Sequence, residues 1–306
     1  MGRTLRDAIK DITKKHILEN RGMVIGQCLT TDGRVRDTIP EMDDERGIFE
    51  LSMDDTSGGS LAVGSALAGR RPIYISRFQG FQWYNAPEIV NYAAKSKDMW
   101  GISCPVFVRS IALDGGIGPV ASAAHHGIYY RMPGIPIAAP MTPNEFESVW
   151  EHFMSHDDPI YVSEHRSGWP VDFEMENVFK NKSDITIIPI SSTRLNTLEA
   201  ISDLESKGIS CNVFHPLWLK PFELNGEDKI GELRQSIRSS KYGALVLDGD
   251  YAEGVAKNLA YDLMHSTGKP VHALALEERT AGFAPRYDNL PPTNEKIFDK
   301  VSEICK

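Results

Sequence analysis

Several signatures that would settle a function at sight are missing from these 306 residues. No apolar run approaches the roughly 18 residues needed to span a bilayer. The amphipathic, charged start MGRTLRDAIKDITKKH lacks the apolar core of a secretion signal, so a cytoplasmic, soluble protein with no membrane partner is expected. Positive charge is not in excess: 33 Lys and Arg against 42 Asp and Glu leave a formal net charge of -9. That sign is wrong for gripping a phosphate backbone, and no nucleic-acid partner is expected. Cysteine is scarce. Cys28, Cys104, Cys211 and Cys305 stand far apart, without metal-ligand spacing, and read as free thiols of a reducing compartment. There is no Gly-x-Ser-x-Gly elbow and no His-Glu-x-x-His. The glycine-rich run LDGGIGP (113–119) has the spacing of neither a dinucleotide fingerprint nor a P-loop.

What is present is a regular alternation. Leu5, Ile9, Ile12 and His16 form one apolar stripe of an opening helix. Strands follow at Met23–Leu29, Pro72–Ser76, Pro105–Arg109, Ile135–Ala138 and Pro159–Ser163, with helices between them; Ala121–Tyr130 is read as one such helix. Thr142-Pro143-Asn144-Glu145 is a strong helix start: Thr caps, Pro suits the first turn, and Glu145 is placed to close a capping box. The stretch from His165 to Ser183 breaks the rhythm. A second series then runs through strands Ile185–Ile190, Ser210–Phe214, Ala244–Leu247 and Val271–Leu274. Strands alternating with helices at this spacing predict parallel sheets covered on both faces. The expected architecture is two doubly wound α/β domains, 1–168 and 184–306, joined by a linker at 169–183.

One stretch stands out locally: LSMDDTSGGSLAVGSALAGRRP, from Leu51 to Pro72. Two carboxylates, Asp54 and Asp55, precede a Gly-Gly turn and a helix with almost no side-chain bulk, read from about Leu61 to Leu67 and closed by Gly69. Carboxylates here suit a helix N-terminus, and the lack of bulk suits a site held close against another surface. Elsewhere His125 and His126 are adjacent. Neighbouring helical side chains diverge by about 100°, so the pair cannot easily share one metal ion; a packed or hydrogen-bonded histidine is the plainer reading of either, and no metal ligand set is expected.

Beyond this, ordered segments carry a resemblance. RPIYISRFQGFQWYNAPEIVNYAAK (71–95), with AVGSALAGRRP before it and PVFVRS, MPGIPIAAPMTPNEF and DDPIYVSEH after it, resembles the pyrimidine-binding domain of thiamine-diphosphate enzymes. The nearest pattern is the β subunit of the 2-oxo acid dehydrogenase first component, in the transketolase superfamily. ISCNVFHPLWLKPF and LVLDGDYAEGVAKNLA resemble that family's C-terminal domain, so the likeness spans nearly the whole chain.

The resemblance implies a chemistry. The family's β subunit supplies a glutamate that bonds a ring nitrogen of the aminopyrimidine, promoting the tautomer that activates the cofactor, and an aromatic ring that stacks on the pyrimidine. A gapless register places Asp55 at the glutamate, Phe81 at the stacking ring, and Met53 and Tyr84 beside them. Asp55 keeps the charge on a side chain one methylene shorter. Where the dehydrogenase pattern has Gln-His-Ser this chain has Val120-Ala121-Ser122, and His125 and His126 become the candidates to face the substrate. A magnesium-binding Gly-Asp-Gly with a downstream Asn is absent; Leu247-Asp248-Gly249-Asp250 falls in the second domain's strand. Diphosphate and Mg are therefore expected on a separate α subunit, in a heterotetramer of two α and two β chains. The implied reaction cleaves a 2-oxo acid beside its carbonyl and passes the fragment to a lipoyl acyltransferase. The alternatives are a transketolase-like carboligase and a non-catalytic partner of the same fold.

Overall fold

The computed structural model describes residues 2–31, 33–42, 46–52, 54, 56–115, 117–118, 121–224, 226–280 and 289–306. They fall into two compact units, one from residues 1–113 and 131–174, the other from 114–130 and 175–306.

The first unit opens with helix α1 (Leu5–Glu19), started by a reciprocal cap. The Thr4 hydroxyl accepts from the Asp7 amide, and the Asp7 carboxylate accepts from the Thr4 amide at 3.0 Å. Its stripe of Leu5, Ala8, Ile9, Thr13 and His16 is buried. Strands β1 (Met23–Gly26) and β2 (Ile48–Glu50) lead to helix α2 (Ser57–Leu67) and strand β3 (Pro72–Ser76). A tight 3-10 turn at Gln79–Tyr84 precedes the short helices α3 (Ala86–Asn91) and α4 (Ser96–Trp100). Then come β4 (Phe107–Ala112), β5 (Ile137–Ala138), helix α5 (Pro143–Ser155) and β6 (Ile160–His165). All six strands run parallel, in the order β2-β1-β3-β4-β6-β5. β3, β4 and β6 are buried along their whole length, as inner strands of a parallel sheet are.

Two local readings are sharpened. Helix α2 begins four residues earlier than its apolar pattern suggests, because Asp54 accepts from both the amide and the hydroxyl of Thr56, at 2.9 and 2.6 Å. The glycines then lie inside the helix for steric reasons. A Cβ on Gly58 would sit 2.5 Å from the Tyr74 ring, and one on Gly59 2.8 Å from Asn85. The bulk-free face is thus consumed within the unit, against β3 and the start of α3. At α5, Thr142 caps as expected, but Glu145 reaches back to the Met141 amide (2.8 Å) rather than to Thr142.

The second unit contains β7 (Ile185–Pro189), α6 (Thr193–Ser206), β8 (Cys211–Val213), β9 (Trp218–Lys220), α7 (Glu227–Ser239), β10 (Ala244–Tyr251), α8 (Val255–Thr267), β11 (Val271–Leu276) and α9 (Asn294–Ile304). Its parallel sheet is ordered β11-β10-β7-β8. Ile185, Ile187, Leu245 and Leu247 from the strands pack with Ala200 and Leu204 of α6 and with Ile297 and Val301 of α9. The helix expected over Ala121–Tyr130 is a single turn, Gly127–Tyr130; Ala121–His126 is irregular, with Ala123 at φ +75°.

Candidate functional site

The strand order of the first unit marks a place for a ligand. The chain steps from β1 to β2 on one side and resumes with β3 on the other, so the loops after β1 and β3 diverge. In open parallel sheets such a reversal opens a crevice at the carboxyl ends of the strands. The loop after β1 is gripped by Glu50, whose carboxylate accepts from the amides of Cys28, Leu29 and Thr30 at 2.6, 2.6 and 2.8 Å. Consecutive amides turned onto one carboxylate form a fixed anion-binding cradle. Further along, Arg34, Val35, Arg36 and Asp37 all adopt positive φ. For β-branched Val35 that conformation is costly and is retained only where the surroundings enforce it.

The turn after β3 is held by two fully buried glutamines. Gln79 donates its Nε2 to the Ser110 carbonyl (3.0 Å) and the Ser163 hydroxyl (2.9 Å). Gln82 accepts from Ser110 Oγ (3.2 Å) and the Tyr161 hydroxyl (2.6 Å). Four polar contacts to β4 and β6 thereby fix the turn that presents Phe81. That ring is half-buried and stands edge-on to Phe78, with centroids 5.5 Å apart. Tyr84 is 57% exposed beside Trp83 at 61% and faces outward. Asp55 and Met53 lie outside the described residues. Their neighbour Asp54 is committed to the helix start, and its bonds to the Thr56 side chain and backbone hold its carboxyl down at about 2.

Between the loops after β1, β3 and β6 lies a cavity of about 330 Å³ lined by Cys28, Gly33, Val35, Arg36, Arg77, Phe78 and Arg166. Three guanidiniums share its wall, and no carboxylate appears among the described lining residues. Arg166 stacks over Phe78 at 4.9 Å and over Trp169 at 5.7 Å; Arg77 also lies over Phe78 and donates to Cys28 Sγ at 2.9 Å. Burial, then repulsion from Arg36 and Arg77, pulls Arg166 down to about 10. Cations crowded enough to disfavour one another's charge make a site that an anion relieves.

In the second unit, His125 and His126 have different surroundings. His126 is fully buried, with Nε2 3.2 Å from Asp248 Oδ2 and 3.8 Å from Asp250 Oδ2. Burial opposes a charged ring there, but the two carboxylates overcome it and lift His126 to about 9. Asp250, pushed up to about 6 by burial against the pull of His126, also accepts from the Gly127 amide at 2.6 Å. His125 is only half-buried, with its ring 5.9 Å from that of Tyr251. Burial and the neighbouring His126 charge lower it, leaving a neutral imidazole.

The structure thus gathers Phe81 and the strand-end loops in one unit and sets His125 and His126 in the other. Sequence reading missed Gln79, Gln82, Arg36, Arg77 and Arg166. Polar residues in loops give no periodic signal, and only the position of Arg77 and Arg166 directly after strands hints at a shared end. No helix is long and apolar enough to cross a membrane among the described residues.

Known proteins align with this picture. The family described as "Transketolase, pyrimidine binding domain" matches residues 4–170. The pyruvate dehydrogenase E1 component subunit beta of Rickettsia felis is 22% identical, over 99% of this chain and 98% of that protein. Its counterpart in Staphylococcus epidermidis is 23% identical over 97% of each. Among solved structures, a split-gene transketolase described as an inactive β4 tetramer superposes with a TM-score of 0.76 at 18% identity, covering 100% of this chain and 99% of that one. A transketolase from Pichia stipitis gives a TM-score of 0.76 at 16% identity, covering 99% of this chain and 46% of its own length. The fold is transketolase-like throughout.

Proposed function

The chain belongs to the transketolase pyrimidine-binding domain family, and from that premise we propose that it is the β subunit of a heteromeric thiamine-diphosphate enzyme. The observation that carries the reading is end-to-end alignment with E1 β subunits, at 99% of this chain and 98% of the relative.

The residues fit one half of the cofactor. Phe81, held edge-on to Phe78 by a turn bonded to two strands, offers the flat apolar surface an aminopyrimidine needs. In this reading Phe81 stacks on the pyrimidine, Met53 and Tyr84 flank it, and Asp55 holds the proton at the ring nitrogen. Bound thiamine diphosphate supplies an electron sink for cleaving the bond beside a carbonyl. His125, neutral and partly open, is the residue offered to substrate; His126 supports it. The diphosphate and Mg are assigned to an α subunit, since the sequence holds no Gly-Asp-Gly with a downstream Asn. Two α and two β chains, joined partly through β–β contact, complete the assembly. Helix α2 supplies a face for such contact, since Gly64 has nothing within 4 Å of its Cβ position and Leu61 and Leu67 beside it are exposed. The leading reaction is oxidative decarboxylation of a 2-oxo acid, with transfer to the lipoyl group of an acyltransferase, in the cytoplasm.

The arginine cavity favours a second reading. Three guanidiniums exceed what the single charge of a simple 2-oxo acid calls for and suit a doubly charged group such as a phosphate. A carboligase that joins a two-carbon unit to a phosphorylated aldehyde would use them.

The test is co-expression with a partner chain that carries Gly-Asp-Gly and a downstream Asn. 2-Oxo acids and ketose phosphates are then screened with thiamine diphosphate and Mg. Turnover unchanged by Asp55→Ala would remove the catalytic assignment and leave a non-catalytic partner of the same fold.

A further inference from the structure

Within the second unit, the segment that carries His125 has almost no regular structure of its own. Ala121–His126 is irregular, and only one helical turn follows it. What holds it in place is a set of contacts to the end of β10. The His126 ring lies against Asp248 and Asp250. The Gly127 amide donates to Asp250 Oδ2 at 2.6 Å, and the Ala124 amide to the Gly249 carbonyl at 3.2 Å. The approach is too close for a side chain: a Cβ on Gly127 would meet Asp250 Oδ2 at 2.8 Å and the Gly254 Cα at 3.2 Å.

We propose that Asp248 and Asp250 are positioning residues: they clasp the His126 imidazole and the Gly127 amide, and so fix the irregular segment that presents His125. Two buried carboxylates on alternate positions of a strand repel one another in a medium that screens poorly. A single imidazolium between them relieves that repulsion, and it can arrive only with the segment that carries it. The groups facing His126 are Asp248 and Asp250 from β10 and His125 from its own segment, while Tyr251 adjoins Asp250 and the His125 ring. Of these only the carboxylates favour a charged ring. One proton therefore adds to the two amide bonds in holding the segment, whose position is set by residues about 120 places further along the chain. What His125 does once placed rests on the function proposed above; the clasp itself does not.

The test needs no substrate, so its outcome stands apart from whether the chain is catalytic. Histidine side-chain NMR on the full-length protein follows His126, and hydrogen exchange follows the backbone of 121–130. In the unaltered protein His126 stays protonated past neutrality, and the protection of the segment, with the intrinsic pH dependence of amide exchange divided out, falls as the pH rises through about 9 while that of β7 and β10 does not. In Asp248→Asn/Asp250→Asn, His126 turns neutral at neutral pH and exchange of 121–130 accelerates roughly tenfold or more, with β7 and β10 still protected. If the double variant loses β10 protection as well, Asp248→Asn alone and the pH series on the unaltered protein apply the same criterion. Protection of 121–130, corrected for the intrinsic exchange rate, that ignores both the variants and the pH, or a His126 that titrates near 6.5, would overturn the proposal.

Discussion

Arg109 and Glu164 form a two-pronged ion pair between β4 and β6, with Nε and one terminal nitrogen of the arginine each 2.8 Å from a carboxylate oxygen. Neither side chain is exposed to solvent. The same carboxylate accepts from Trp169 Nε1 at 2.7 Å, and the guanidinium also donates to Thr38 at 3.0 Å. The pair therefore ties together two strands, the turn that carries Arg166, and the segment after Arg36.

Removing one partner strands a charge in the interior. Glu164→Ala is expected to cost about 3–5 kcal/mol of stability, read from urea denaturation monitored at Trp169. Replacing both residues together, Arg109→Met with Glu164→Leu, should cost much less, since no charge is left unpaired. Equal losses in the two variants would mean the pair does not act as a unit.

The two faces of α2 make opposite predictions for the same substitution. Gly58→Ala drives a methyl group to within 2.5 Å of the Tyr74 ring and should destabilise by about 1–3 kcal/mol through overpacking. Gly64→Ala meets nothing within 4 Å and should stabilise the isolated chain by up to about 1 kcal/mol through helix propensity. If Leu61, Gly64 and Leu67 face another subunit, the same change should weaken assembly, which sedimentation velocity on the complex would report.

His215 sets an acid limit. Burial, then the nearby Arg194 charge, lowers it from its ordinary 6.5 to about 3. The folded chain thus binds its proton less readily than the unfolded one. The stability at stake is complete above about 6.5 and is lost as the pH falls toward 3. His215→Leu removes the group that must be charged and should flatten the acid limb of an unfolding-versus-pH curve. An acid limb of unchanged steepness would assign the loss to other groups.

In the reconstituted enzyme, Phe81→Ala should raise the thiamine-diphosphate concentration needed for half-maximal activity by roughly tenfold, the scale of one aromatic stacking contact plus its buried area. Titration of activity against cofactor checks this, and an unchanged half-saturation would remove Phe81 from the cofactor's wall.

The arginine cavity discriminates between the two reactions. Arg77→Ala and Arg166→Ala should each raise KM for a phosphorylated substrate by about tenfold or more, the worth of a charge-assisted bond. An uncharged analogue should be nearly unaffected. Steady-state kinetics with a matched pair of substrates decides it, and an equal effect on both would point to structural damage.

Much of the fold was legible along the chain. The capping residue Thr142, the buried runs of β3, β4 and β6, and the alternation of strands with helices are set by hydrogen bonds and side-chain periodicity over a few residues. The ordered segments from Arg71 onward likewise pointed to the family. What tertiary structure alone decided is which distant residues meet. Arg36, Arg77 and Arg166 line one cavity because β1, β3 and β6 end on the same side of a sheet whose strand order reverses, and strand order leaves no local trace. Ala121–His126 failed as a helix for the same kind of reason: the Ala124 amide and the His126 ring bond out of the segment to Gly249 and Asp248, and the Gly127 amide that follows bonds to Asp250. Short-range preferences shaped the elements, while the carboxyl ends of the strands, fixed only by packing, brought the polar groups together.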